Sequence, residues 1–331
     1  EEQRSPTGKV VSAIEDLGAW SLILPKRLGG RGISSSAFAR VQAELAKGDP
    51  SVAWVSHIIN GTSWIASLGS DALQETLFSS GPARVCGAVN PPGRAIRVDN
   101  GYRVSGAFLY SSGSRQADWF QCSVKLEGGG STADSSALNM AYVHSSEVQI
   151  SDTWYVTGLQ GTGSDTTVVE EIFVPDARFV PSETPFGHVE PNKRHWGAPS
   201  DFLPIVPTVR TLCVAQLIGA AQAMVDLVAV TAQKRGIIST SYSRQAESSV
   251  FQHHVGEASA KIDTAWLIVE NCCRQLDSLA EERGSITSAE SARNKAQISL
   301  AVDLMLSAVD RLMTISGSSA FATSNPLQRY W

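Results

Sequence analysis

Apolar residues recur at helical spacing early in the chain. Phe38, Val41 and Leu45 fall at i, i+3 and i+7; past a Gly48-Asp49-Pro50 break come Val52, Val55, Ile58, Ile59, Trp64 and Ile65. This pattern predicts an N-terminal helical domain over 1–82, with its helices inside 34–79. From Arg84 to Val180 the period becomes two: RVCGAV, RAIRV, YRVSGAFLY, WFQCSVKL, NMAYVH, WYV and VVEEIFV read as seven or eight short strands. Pro91-Pro92-Gly93, Asp99-Asn100-Gly101, Gly128-Gly129-Gly130 and the run 158–164 read as the turns between them. That is a central β domain over 83–185, a barrel or a sandwich. A Pro-, Gly- and His-bearing linker, 181–207, leads into a C-terminal long-helix bundle over 186–331. Its helical stretches are 207–236, 247–283 and 287–316, and Gly284 is the expected left-handed stop of the second.

Helices and strands are thus segregated, which makes the chain an α+β protein and excludes an alternating dinucleotide fold. Gly158-Leu159-Gln160-Gly161-Thr162-Gly163 has the glycine spacing of a nucleotide loop, but strands flank it on both sides.

Composition narrows the class further. The 331 residues are 43% hydrophobic, enough to bury a layered core. The net charge is −5 and no Lys/Arg run exceeds two residues, so nucleic acid and polybasic membrane contact find no support. Five cysteines without a CxxC pair read as free thiols of a reducing cytosol. No apolar run reaches the roughly 20 residues of a membrane span, and the start has no signal-peptide pattern, so a cytoplasmic protein is expected. His253 and His254 lack a third ligand at metal spacing, and no metal site is expected.

Several ordered segments resemble the acyl-CoA dehydrogenase superfamily. Leu24-Pro25-Lys26-Arg27-Leu28-Gly29-Gly30-Arg31-Gly32 is similar to its Pro-x-x-x-Gly-Gly-x-Gly loop. Gly106 to Gly113 is similar to its flavin-lining strand, and 158–164 followed by Phe173-Val174-Pro175 to its next flavin-side turn. Ser316-Gly317-Ser318-Ser319-Ala320 with Asn325-Pro326-Leu327-Gln328-Arg329 resembles its late glycine and Pro-x-x-Arg segment. The dehydrogenases place a catalytic Glu before an Arg at the start of the first bundle helix, or in the C-terminal tail. Here Val209 precedes Arg210. The finer similarity is therefore to the two-component flavin-dependent monooxygenases of this fold, which oxidise dibenzothiophene, phenols and polyketides.

That resemblance implies a homotetramer taking reduced FMN from a separate flavin reductase and using O2 to hydroxylate an aromatic or polyketide-like small molecule. FMN is preferred to FAD because Ser316-Gly317 replaces the Gly-Gly that holds the adenosine half. Ser112 takes the position of the hydroxyl that accepts a hydrogen bond from flavin N5, and Tyr110, two residues earlier on the strand, flanks the ring. His57 lies on the helix roofing the substrate cavity, where an imidazole binds substrate or moves a proton near neutral pH. Asn90 lies in the loop facing the flavin pyrimidine, and Trp154 is a ring-flanking aromatic. Thr162 and Ser164 are donors to phosphate or ring oxygens. Arg235 reaches the neighbouring subunit's flavin phosphate. The family's tail brings a His over the flavin, so the natural chain is expected to continue for about 10–40 residues past Trp331. Alternatives are an FAD-dependent acyl-CoA dehydrogenase and a non-catalytic scaffold on the same fold.

Overall fold

The computed structural model describes residues 3–127, 138–181 and 196–331; the Gly128-Gly129-Gly130 turn and most of the linker lie outside them. Cα proximity divides the chain into two compact units. The first comprises Glu1–Ser34, Trp54–Ile205 and Ala280–Gly284; the second comprises Ser35–Ala53, Val206–Leu279 and Ser285–Trp331. The helical residues read as an N-terminal domain are thus shared between both units.

In the first unit, α1 (Gly8–Asp16), most of α3 (Pro50–Ala66) and α4 (Asp71–Phe78) accompany a mixed seven-stranded sheet. Its strands are β1 (Val85–Val98), β2 (Gly101–Phe108), β3 (Trp119–Glu127), β4 (Asn139–His144), β5 (Gln149–Ser151), β6 (Thr166–Pro175) and β7 (Phe179–Val180). Their order is β5-β6-β2-β1-β3-β4-β7, with β1 and β3 parallel and the other pairs antiparallel. Period two sends alternate residues of one strand to opposite faces. Ala141 and Val143 join Cys86, Val104, Phe108 and Phe120 in one cluster. Met140 and Tyr142 join Leu24, Leu73, Leu77 and Phe78 in another. The sheet therefore has an apolar core against each face.

Three strand boundaries differ from the sequence reading. RVCGAV and RAIRV are one strand, β1, whose pairing with β3 shifts register between Ala88 and Gly93. Pro91 and Pro92, which cannot donate to a ladder, sit within that shift. WYV (154–156) is a loop, and two strands were missed: Gln149–Ser151, which pairs with β6, and Phe179–Val180, which pairs with β4. The strand read through Tyr110 ends at Phe108.

In the second unit, α5 (Ile205–Ala232), α6 (Ser249–Glu281) and α7 (Ser288–Ser316) are the long helices, with α2 (Ser35–Gly48) and α8 (Pro326–Tyr330) beside them. Asp277 of α6 caps α2, accepting from the backbone N–H of Ser35 at 2.7 Å and of Ser36 at 3.0 Å. Thr287 and Glu290 form a capping box at the start of α7. The left-handed residue after α6 is Arg283 (φ 52°), one position before the expected Gly284. The sequence reading of no apolar run of membrane-spanning length is also corrected: α5 has a mean hydropathy of 1.7 over an 18-residue window. Its apolar residues instead fill a protein core, with Leu212, Val214, Ile218 and Met224 all buried.

Candidate functional site

The turn after β2 and the turn before β6 are joined by backbone hydrogen bonds. Gly113 N–H donates to Thr162 O at 3.1 Å, and Ser111 N–H to Asp165 O at 3.2 Å. Three residues expected at the flavin meet here: Ser112 Oγ lies 2.7 Å from Ser164 Oγ, which lies 2.6 Å from Thr162 Oγ1. All three side chains are buried. Trp54 of α3 donates its Nε1–H to Ser112 Oγ at 3.1 Å. Sequence reasoning missed Trp54, although it stands one helical turn before His57.

Tyr110 and Trp154, both expected to flank the ring, make an edge contact with ring centroids 5.9 Å apart. Neither is on a strand. Tyr110 sits in the left-handed region at φ 58° and is 66% exposed, so the period-two placement of its ring does not apply. Trp154 is held in its loop by its own atoms: its backbone N–H donates to Asp165 Oδ1 at 3.1 Å and its Nε1–H to Leu159 O at 3.1 Å.

Asp165, also missed, organises this loop. It is fully buried; Oδ1 accepts from the N–H of Thr153 as well as Trp154, and Oδ2 pairs with Arg115 at 2.7 Å. Arg4 closes the other side, donating to Trp154 O at 3.0 Å and pairing with Asp152. Hydrogen bonds from Tyr155 and Arg4 hold the Asp152 carboxyl below its ordinary range.

His57 lies in α3, the helix on which the sequence put it. It is 4% exposed, its ring centroid lies 5.9 Å from that of Trp54, and burial lowers its pKa to about 4. Thr162 and Ser164 are buried, and the Thr162 hydroxyl lies 2.9 Å from Leu159 O. The backbone of Asn90 lies in β1 beside the register shift, while its side chain is outside the described residues.

Arg235 belongs to the second unit. It donates to Ser316 O at 3.0 Å and Ser319 Oγ at 2.5 Å, and it lines a cavity of about 450 Å³ with Thr231, Gln245, Ser324 and Asn325. The late glycine segment and Arg235 thus meet within this unit. His253 and His254 are joined by Glu257, with donor atoms within 4.8 Å of one another, but Lys261 holds that carboxylate at 2.7 Å.

The acyl-CoA dehydrogenase N-terminal domain model matches residues 1–80, and the C-terminal domain model matches 211–331. The oxygenase subunit HsaA of a flavin-dependent monooxygenase from Mycobacterium tuberculosis is 28% identical over 335 residues, covering 100% of this chain and 84% of the relative. The oxygenase component of an FADH2-dependent resorcinol hydroxylase from Rhizobium is 28% identical, covering 100% of this chain and 83% of the relative. Among solved structures, XiaF from Streptomyces in complex with FADH2 and glycerol superposes with a TM-score of 0.93 at 28% identity, covering 100% of this chain and 83% of XiaF.

Proposed function

The chain belongs to the acyl-CoA dehydrogenase superfamily, and from that premise we propose that it is the oxygenase component of a two-component flavin-dependent monooxygenase that hydroxylates an aromatic or polyketide-like small molecule. One observation carries the reading: neutral hydroxyls and aromatic rings converge around Ser112, and the nearby carboxylate, Asp165, has both oxygens engaged. This donor set fits a flat, uncharged heteroaromatic ring with N–H and carbonyl edges, and among the described residues around Ser112 no carboxylate is left uncommitted as the base that α-proton abstraction requires.

Ser112, Tyr110 and Trp154 are the residues that would hold reduced flavin. When bound, that cofactor supplies the two electrons that reduce one atom of O2 to water while the other is transferred to the substrate. Ser112 offers the ring an oxygen acceptor without adding charge, and the Tyr110–Trp154 pair supplies an aromatic wall that excludes water. His57, neutral and buried under Trp54, supports that indole rather than exchanging protons.

The FADH2 dependence of the Rhizobium relative and the FADH2 held by XiaF weigh toward FAD, against the FMN preferred from the late glycine segment. A separate reductase supplies the reduced flavin. Leu217, Leu267, Leu300 and Leu306 are exposed on the long helices, apolar side chains that self-association as a homotetramer would cover. Free cysteines fit a reducing, cytoplasmic setting. The test is a reaction with chemically reduced FAD or FMN, 18O2 and a panel of phenols. One 18O atom in the product is expected; oxygen drawn from water, or no product with either flavin, overturns the reading.

A further inference from the structure

Trp154 is held at both its backbone N–H and its C=O by one run of alternating charges. The N–H donates to Oδ1 of the buried Asp165 at 3.1 Å, and the C=O accepts from Nη1 of Arg4 at 3.0 Å. Arg4 pairs with Asp152 at 2.5 Å, Asp152 meets Arg115 at 3.5 Å, and Arg115 pairs with Asp165 at 2.7 Å, which closes the run. The segment that carries Arg4 is itself tied down. Arg115 Nη1 donates to Gln3 O at 3.2 Å, and Gln116 Nε2 donates to Ser5 Oγ at 2.9 Å. Gly163 leaves that segment room, because a Cβ there would stand 3.2 Å from Arg4 O. The Arg4 guanidinium also lies 3.9 Å from the centroid of the Tyr155 ring, whose hydroxyl donates to Asp152 at 2.8 Å. One planar fork therefore serves three residues of the loop 152–155, a geometry that a lysine ammonium does not reproduce.

Resting on the flavin reading above, we propose that Arg4 is a positioning residue for the flavin site, fixing the loop 152–155 so that the Trp154 indole stands against Tyr110. The loop has no strand ladder to set its backbone, and Asp165 alone holds only the N–H side of Trp154. Arg4 grips the carbonyl on the other side. An exposed ion pair by itself orders little, but the bond to that carbonyl and the stacking on Tyr155 give the contact direction. With its backbone fixed, Trp154 keeps its edge contact with Tyr110, ring centroids 5.9 Å apart. An aromatic wall set before the ligand arrives loses little freedom on binding, so more of the contact energy remains as affinity. Arg4 thus acts through Trp154 rather than on the flavin.

The test is a double-mutant cycle read by anaerobic titration of reduced FAD and reduced FMN. Wild type, Arg4→Ala, Trp154→Ala and the double variant are compared, with Arg4→Lys beside them. Arg4→Ala is expected to weaken reduced-flavin binding about tenfold, in line with one lost charge-assisted hydrogen bond. In the Trp154→Ala background the same change is expected to add nothing, because the ring it positions is gone. Arg4→Lys, which reaches one partner at a time, is expected to fall between Arg4→Ala and wild type. Unchanged affinity in Arg4→Ala, or a loss of equal size with and without the Trp154 ring, overturns the proposal and leaves the flavin reading standing. A wild-type protein that holds neither reduced flavin sinks that reading, and the proposal with it. Should Arg4→Ala not fold, Arg4→Lys takes its place in the cycle, with a smaller loss expected and again no effect beside Trp154→Ala.

Discussion

Arg115 pairs with Asp165 at 2.7 Å, and the other oxygen of that fully buried carboxylate holds the backbone N–H groups of Thr153 and Trp154 at 3.1 Å each. The ion pair thus sets the position of an aromatic residue of the site. Asp165→Ala leaves both N–H groups without their acceptor and leaves the Arg115 guanidinium with Gln3 O at 3.2 Å and Asp152 Oδ1 at 3.5 Å alone. Breaking a buried pair from one side costs about 3–5 kcal/mol, and the partial exposure of Arg115 argues for the lower end. Urea denaturation followed by far-UV circular dichroism should show that loss. A variant as stable as wild type would mean that the loop is held by other contacts.

Ser112→Ala removes the acceptor expected to face flavin N5 and also orphans the Trp54 Nε1–H it now receives. One lost hydrogen bond of this kind costs about 1–3 kcal/mol, both in reduced-flavin affinity and in stability. The expected result is more hydrogen peroxide per O2 consumed and less hydroxylated product, measured by peroxide assay alongside an oxygen electrode. Wild-type coupling in this variant removes Ser112 from the site.

His57 links stability to pH. Burial lowers its pKa from the ordinary 6.5 to about 4, so the native protein keeps it neutral while the unfolded chain takes up a proton below pH 6.5. The stabilisation is fully present above pH 6.5, drains as the pH falls toward 4, and amounts to on the order of 3 kcal/mol once lost. His57→Gln removes this titration. Its urea midpoint should therefore fall less between pH 7 and pH 5 than that of wild type; parallel slopes would assign the acid sensitivity to other groups.

What could be read from the sequence follows from the range of each interaction. Period two located β2, β3, β4 and β6 because alternate residues enter separate cores, as Ala141 and Tyr142 do. The glycine loop was legible for a steric reason: a Cβ on Gly30 would stand 2.0 Å from Leu24 O, and Gly29 and Gly32 adopt positive φ. WYV misled because its residues favour strands, yet the Trp154 N–H is taken by a side chain instead of a ladder. Ser112, Thr162 and Ser164 emerged from family resemblance, whereas the 2.7 Å contact that joins Ser112 to Ser164 spans 52 residues, which no local pattern encodes. Asp165 escaped notice because its partner Arg115 is 50 residues away, a pairing that no local pattern encodes. Trp54 was within reach, since i and i+3 on a helix share a face with His57.

Tyr110 offers a separation of strain from function. Its φ of 58° costs a non-glycine residue about 1 kcal/mol or more, and its ring is 66% exposed, so little burial compensates for the strain. The ring instead meets Trp154 edge-on at 5.9 Å, as one wall of the site. Tyr110→Gly relieves the backbone and deletes the ring, whereas Tyr110→Ala deletes the ring and keeps the strain. The glycine variant should consequently be the more stable of the two by roughly 1 kcal/mol, read from urea midpoints. Both should weaken reduced-flavin binding to the same extent in an anaerobic titration, because both lack the same aromatic wall. If Tyr110→Ala bound reduced flavin as tightly as wild type, the strained backbone would have to serve the turn alone, and the ring would lose its place in the site.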